Sequence, residues 1–511
     1  MKTQSDITNE DKLTQENQLL REQVSSLQNQ LDWFKRQLFG SKSEKRLEID
    51  NSQQADLFAA LDIPKEAANP PTQEIPAHQR RKKSHDDSVN DSGLRFDDSV
   101  PVETIEVNNP ELAGVPEDQL VLIDEKVTCR LAQRPGSYVV LRYVRKVFKR
   151  KDTQKLSTPL MPANVLDKSI ADVSFLAGML VDKFVYHLPL HRQHQRLEQG
   201  GIQLSRATLT NLTKRTIELL RPIADAQLSN ILMSKVLAMD ETPIKAGRKQ
   251  KGKMRQAYFW PIYGEQDEIY FSYSSTKAQS HVPAMLGDEF AGVLLSDGNE
   301  AYANYAAQRE KVTHAECWSH TRRYFERAKE CEPGAEEGLD IIGLLYKHEA
   351  HIKEKDYSLE ATHKYRIQHS LEVVKAFWTW CDKQCQRNDL TPKNPLTKAL
   401  KYAMNRVDSL QVFLSDPAVP LDTNHLERCI RPIPMGRRNW LFCWTEVGAE
   451  LVGIIQSLLG TCRLHGVDPY TYLVDVLQRI NLHPASQVIE LTPREWKVRF
   501  ADQPLSSDLD K

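Results

Sequence analysis

The sequence predicts an α/β protein whose strand-rich region is followed by a long helical stretch, and which is preceded by a coiled coil and a helix-turn-helix region. Three observations carry this. Residues 231–320 hold short runs rich in aromatic and branched residues, "KVLAMDE", "AYFWPIYG", "EIYFSYS", "GVLLSDG" and "KVTHAECW", separated by turn signals, which is strand patterning. Residues 321–420 turn helical, as in "GLDIIGLLYKHEAHIKEK" and "NPLTKALKYAMNRVDSLQVFL". The first forty residues carry heptads.

In the heptads Leu13, Leu20, Leu27 and Phe34 are seven apart, with Asn17, Val24, Leu31 and Leu38 four residues after each. The seam covers about 26 residues, ~39 Å of helix. Asn17 takes an a position, where a buried amide can fix register and strand number. Residues 1–43 are expected to associate chains into a homo-oligomer. Residues 44–100 are polar and proline-bearing, including "NPPTQEIP" and the basic cluster Arg80 to Lys83, and read as linker.

From Glu125 to Lys168, eleven Lys or Arg stand against three Asp or Glu. "SYVVLRYVRKVFKRK" alternates apolar and basic residues, so 101–168 is expected to be a strand-rich module with one basic face. Arg145, Lys146, Lys149 and Arg150 are its candidate phosphate contacts. Residues 169–230 follow as helix, turn, helix: "PLHRQHQRLEQ", the glycine turn "GGIQL", then "RATLTNLTKRTIELL" with Ser205 as cap. Arg206, Asn211 and Lys214 are placed on the exposed first half of that second helix, as DNA contacts.

The chain has 511 residues, with 68 basic and 69 acidic side chains, so its overall charge names no partner. No apolar run approaches the roughly 18 residues of a membrane span, and the N-terminus lacks a signal peptide's apolar stretch. A cytoplasmic, nucleoid-associated protein without a membrane partner is expected. Eight cysteines over this length imply reduced thiols. Cys381 and Cys385 share a helix face and are expected in the core. His314, Cys317 and His320 have ligand-like spacing, but without a fourth partner they are expected to pack or hydrogen-bond.

Two predicted strands end on an acid. "VLAMDETPIK" delivers Asp240 before Thr242 and Pro243 break the run, and "GVLLSDGNEAY" delivers Asp297, 57 residues later. A helix start in "DTNHLERCIRPIPMGRRNW" carries Glu427, a further 130 residues on. Each acid also has a plain reading, as a cap, a turn residue or, for Glu427, a pair with Arg431. Strand alternation points Glu241 away from Asp240, so only Asp240 of the two is expected to matter. Three carboxylates at one point repel, by about 4 kcal/mol per pair at ~4 Å and an effective dielectric near 20. Hard divalent cations, two Mg²⁺ or Mn²⁺ ions, relieve this and suit phosphoryl transfer on nucleic acid. Past the glutamate, Arg437 and Arg438 are candidate phosphate contacts, with Trp440 either stacking on a base or buried.

"LAMDETP", "LLSDGNEAY", "ECWSHTRRYF", "NHLERCIRPIPMGRRNWLF" and "HGVDPYTYLVDVL" together resemble an insertion-sequence-66 type transposase. "FKRQLFGSKSEK" and "YHLPLHRQHQRLEQGGIQLSRATL" extend the resemblance over most of the chain. It implies an RNase H-like catalytic core of the DDE class, with Asp240, Asp297 and Glu427 as metal-binding catalytic acids. It implies core segments at 231–320 and 421–485 around a helical insertion at 321–420, then a tail at 486–511. It also implies double-stranded DNA, both transposon ends and target, as partner, and accessory proteins from the same element. The alternatives are a catalytically silent DNA-binding descendant and an RNase H-like nuclease. The family's zinc module is not expected: residues 100–170 contain only Cys129, so the region reads as a degenerate zinc finger without zinc.

Overall fold

The computed structural model describes residues 94–510, except 99, 135, 251–252, 331, 389, 437–438 and 440–444. The heptads, nearly all of the 44–100 linker, and Arg437, Arg438 and Trp440 lie outside the described residues. The chain divides into Met1–Lys83 and Ser84–Lys511, and only the second unit contains described residues.

Strands β1 (Arg95–Phe96), β2 (Val102–Glu106), β3 (Leu120–Arg134), β4 (Ser137–Arg150) and β5 (Leu156–Ser157) come first. β3 and β4 make one long antiparallel hairpin, with Arg134 opposite Ser137 and Gly136 at a φ of +84° in the turn. β2 and β5 pair with β4. The basic residues of β4 do not form the single face expected. Odd and even positions point to opposite sides of a strand, so Arg145 and Lys149 part from Lys146 and Arg150. Lys146 pairs with Glu106 at 3.0 Å and Arg150 with Asp152 at 2.7 Å. The alternation is imperfect in the sequence itself, with two adjacent basic pairs.

Helices α1 (Val173–Phe184), α2 (Leu190–Gln199) and α3 (Arg206–Leu232) follow. Between α2 and α3, Gly201 takes a φ of +80° and β6 (Ile202–Gln203) pairs with β1. Ser205 caps α3, its hydroxyl accepting the Thr208 N–H at 3.0 Å. Arg206 and Asn211 are exposed; Lys214 is half-buried and 3.9 Å from Glu218.

The central sheet contains β7 (Val236–Met239), β8 (Thr242–Gln250), β9 (Lys253–Gly264), β10 (Glu268–Ser274), β11 (Gly292–Ser296) and β12 (Val312–Glu316). Its order is β10-β9-β7-β11-β12, with β8 also on β9. β7, β11 and β12 are parallel, while β9 runs antiparallel to β7 and β10. Both faces are covered, which is why β7 is apolar throughout. Val236 and Ala238 join the larger apolar cluster, and Leu237 and Met239 the smaller. The smaller is closed by α4 (His281–Leu286) and α5 (Glu300–Ala307). The expected break at Thr242–Pro243 is absent. β8 resumes there in the register β7 left, with Met239 opposite Ile262 and Thr242 opposite Phe259.

After α6 (Trp318–Lys329) come α7 (Ala335–Glu354), α8 (Leu359–Tyr365), α9 (Leu371–Cys385), α10 (Pro395–Met404) and α11 (Val407–Ser415). The buried Trp318 ties this layer to the sheet, its indole N–H donating to the Leu410 carbonyl at 2.8 Å. The stretch 394–414 is two helices rather than one run. Arg406 marks the break, reaching Glu316 at 3.1 Å and the Gly298 carbonyl at 3.1 Å. Cys381 is buried as expected, but Cys385 is exposed, one turn on at the end of α9.

The chain ends with α12 (Asn424–Ile430), α13 (Pro432–Gly436), α14 (Glu446–Leu464), α15 (Pro469–Arg479) and α16 (Pro493–Arg499). Residues beyond 486 pack on the rest: Leu491, Trp496 and Leu509 are buried, and Trp496 donates to Asp475 at 2.9 Å. Among the described residues, α14 alone is long and apolar enough to cross a membrane, and most of it is buried in the fold. It covers the edge strand β10, whose unpaired backbone groups would otherwise invite aggregation. The Phe271 N–H donates to Ser457 at 2.9 Å, the Ile269 N–H to Thr461 at 3.2 Å, and Gln227 of α3 donates to the Ile269 carbonyl at 2.7 Å. That close approach requires glycine at 453, where a Cβ would stand 2.5 Å from the Phe271 carbonyl oxygen. Gly453→Ala is therefore expected to lower stability by about 1–3 kcal/mol, read from urea unfolding; an unchanged midpoint would mean the helix is not seated this closely.

Candidate active site

Asp240 and Asp297 each follow the last residue of a parallel strand, β7 and β11. Those strands are neighbours, with Leu295 opposite Ala238, so two more residues along each brings Asp297 beside Asp240. Each carboxylate is held by a nearby backbone N–H. Glu241 N–H donates to Asp240 Oδ1 at 2.7 Å and Asn299 N–H to Asp297 Oδ1 at 3.0 Å. The turn bonds considered as the plain alternative are thus present, and they aim the acids.

Glu241 is not turned away. One carboxylate oxygen from each of Asp240, Glu241 and Asp297 lies within 4.8 Å of the others. Alternation fails because the two residues fill the gap between β7 and β8. There Asp240 bends toward its successor's N–H, and Glu241 is drawn by other partners. Asn299 Nδ2 donates to Glu241 Oε1 at 3.0 Å, the Tyr302 hydroxyl donates to Oε2 at 3.2 Å, and Lys277 pairs with Oε1.

Glu427 lies on α12, near enough for its charge to act on Asp240, but it is outside that tight group. Its partner is Arg323 of α6 rather than Arg431. Arg323 Nη2 donates to both carboxylate oxygens, at 2.6 and 2.5 Å. His320 Nε2 is 3.7 Å from Glu427 Oε1 and 3.3 Å from Arg323 Nη1.

Burial and crowding show in the titration of the acids. Burial, then the Asp297, Glu241 and Glu427 charges, push Asp240 up to about 7 against the Glu241 N–H. Burial and Glu241 likewise raise Asp297, opposed by the Asn299 N–H, His320 and Lys277. Burial, then Arg323, lowers His320. Half-buried oxygen donors that repel one another suit a hard divalent cation, whose charge removes the repulsion. The donor set contains no sulfur or nitrogen that would select zinc.

The other histidine and cysteine of the spaced trio are engaged elsewhere. His314 Nε2 meets Ser296 Oγ at 2.9 Å, and burial, then Arg406, pushes its imidazole down to about 4. The buried Cys317 thiol, raised by burial, accepts the Thr423 N–H and hydroxyl at 3.3 Å each. Lys277, Asn299, Tyr302 and Arg323 were not among the expected site residues. Asn299 and Tyr302 stand in the same "SDGNEAY" stretch as Asp297, and Arg323 in "ECWSHTRRYF". Those stretches were the available signal.

Comparison with known proteins agrees in extent. Uncharacterized protein y4hP of Sinorhizobium fredii is 26% identical over 503 residues, covering 93% of this chain and 89% of that one. Uncharacterized protein y4qI of the same organism is 28% identical, covering 77% of this chain and 75% of its own. The model described as Transposase C of IS166 homeodomain matches residues 26–105, and the IS66 C-terminal element matches 457–494. The model described as Transposase IS66 family matches residues 168–451, more than half of the chain and all three acids, and the protein belongs to that family.

Proposed function

We propose that the protein is a DDE transposase that binds transposon ends, cleaves a phosphodiester there and joins the freed 3′-hydroxyl to target DNA. The carrying observation is the placement of Asp240 and Asp297, two half-buried like charges at the ends of adjacent parallel strands. Such a pair is costly without a cation. The sheet order supports an RNase H-like core: counting from β7 and leaving out β8, it is 3-2-1-4-5 with the second strand antiparallel. Asp240, Asp297 and Glu427 would hold two Mg²⁺ or Mn²⁺ ions, with Glu427 first exchanging Arg323 for the metal. Bound there, such ions stabilise the attacking and leaving oxygens of an in-line displacement.

The chain's own residues supply the rest. In the first step a water oxygen bonds to phosphorus and the P–O3′ bond breaks, water giving up one proton and the leaving 3′-oxygen taking one up; in the second that 3′-hydroxyl, losing its proton, bonds to a target phosphorus and the target's P–O3′ bond breaks, its 3′-oxygen leaving as a hydroxyl. Arg323 and Lys277, both partly exposed beside the acids, are placed to meet phosphate oxygens. The exposed start of α3, with Arg206 and Asn211, is the proposed reader of the ends, with Lys214 and one side of β4, Arg145 and Lys149, as phosphate contacts; Lys146 and Arg150, on its other side, are paired with Glu106 and Asp152. Arg437 and Arg438, just after α13, are assigned to DNA on sequence alone. We place the protein in the cytoplasm with the DNA. Oligomerisation is assigned to the heptads, and deleting residues 1–40 should lower the number of chains per particle found by light scattering; an unchanged number would remove the assignment. Incubation of the protein with Mg²⁺, end-labelled element DNA and a plasmid target tests the whole reading. Joined product is expected; hydrolysis alone would indicate a nuclease, and binding alone a silent descendant.

A further inference from the structure

Glu241 stands one residue after Asp240 and Asn299 two residues after Asp297, one on each loop. Both do two things. Their backbone N–H groups fix the acids, Glu241 on Asp240 Oδ1 at 2.7 Å and Asn299 on Asp297 Oδ1 at 3.0 Å. Their side chains bond to each other, Asn299 Nδ2 donating to Glu241 Oε1 at 3.0 Å. The path from Asp240 through Glu241 and Asn299 to Asp297 is therefore closed by three hydrogen bonds, one within each loop and one, between the two side chains, across the strand ends.

Both halves are anchored in the fold. Asn299 Oδ1 caps α5 by accepting the Ala301 N–H at 3.1 Å. Tyr302, fully buried on the first turn of that helix, donates to Glu241 Oε2. Lys277 offsets the Glu241 charge from the solvent side. Both Glu241 oxygens are thus tied to side chains of neighbouring elements, so Glu241 links the Asp240 loop to the Asp297 loop and to α5.

We propose that Glu241 and Asn299 form a clip that sets the spacing of Asp240 and Asp297 for the divalent cation. The proposal rests on the DDE reading and names two positioning residues within it. Without the tie, the repulsion between the acids would spread the two loops. Outer partners of this kind are worth about 10–100-fold in metal affinity.

The test is Mn²⁺ affinity of the full chain, followed by the paramagnetic signal of free ion. Asn299→Asp keeps the helix cap, since aspartate caps as well as asparagine, but sets a carboxylate against Glu241. It is expected to weaken Mn²⁺ binding about 10–100-fold with unfolding midpoint retained. Adding Glu241→Gln to that variant restores one donor and one acceptor with their order reversed, and the net charge of the parent. Affinity should return to within about threefold, because two contacting residues couple non-additively. Asn299→Asp binding Mn²⁺ as tightly as the parent or tighter, or a double variant as weak as the single, would overturn the clip. Asp240→Asn separates this from failure of the underlying reading: if it binds Mn²⁺ as the parent does, the ion is not held by these acids and both ideas fall.

Discussion

Asp240→Asn is expected to remove end cleavage and joining by well over 100-fold while leaving binding to element ends near the parent level. The substitution keeps size and shape and removes one charge. Outer partners of a metal ligand alone are worth about 10–100-fold, so loss of the ligand itself must cost more. Binding survives because the proposed end-reading contacts, Arg206 and Asn211, stand at the start of α3, and the change leaves every proposed DNA contact in place. Asp297→Asn and Glu427→Gln should match it, and pairs of these changes should be no worse than one, since the acids act as a unit. Gel shift and cleavage, measured on the same labelled ends, give the two readouts. Substantial Mg²⁺-dependent cleavage by Asp240→Asn, or equal loss of end binding, would show that the site has been misassigned.

The parts of this arrangement that could be read from sequence are those set by local pattern. β7 and β11 are buried on both faces, so β7 is an unbroken apolar run and β11 is one from Val293 to Leu295, and the acid that follows each strand stands out. Ser205 was legible as a cap because a hydroxyl before a helical run has few other uses. What stayed hidden depends on partners distant in the chain. Arg323 meets Glu427 across 104 residues, and no spacing rule reaches that far. Arg406 breaks a stretch of good helical pattern because its guanidinium is drawn to Glu316 and Gly298. β8 contains a proline at its second position, which reads as a breaker, yet it pairs with β9 from Thr242. Glu241 was misread for a related reason. Alternation holds within a ladder, and residues 240–241 stand in the gap between two ladder segments.

Relative to Asp240→Asn, the metal-free parent should lose stability as pH rises from about 4 to about 7. Asp240 is held at about 7 in the fold by burial and by Asp297, Glu241 and Glu427, against about 3.9 unfolded. Between those values the folded state binds more protons than the unfolded one, so the slope of stability with pH is negative. This is the reverse of a salt-bridged aspartate, whose contribution is present above its unfolded pKa. A displacement of this size sets a ceiling of about 4 kcal/mol, at 1.36 kcal/mol per unit. Asp297 is raised too, by burial and then by the Glu241 charge, and it keeps that contribution in the variant. In EDTA, the parent and Asp240→Asn are expected to unfold at similar urea concentrations at pH 4.5, and the variant to be clearly the more stable at pH 8. Mn²⁺ at pH 8 should then stabilise the parent selectively, because the ion binds the folded acids and supplies the charge that burial withholds. Equal pH dependence in parent and variant would mean that Asp240 is well solvated. The acids would then have no strain for a cation to relieve, and the physical case for a metal at the ends of β7 and β11 would go with it.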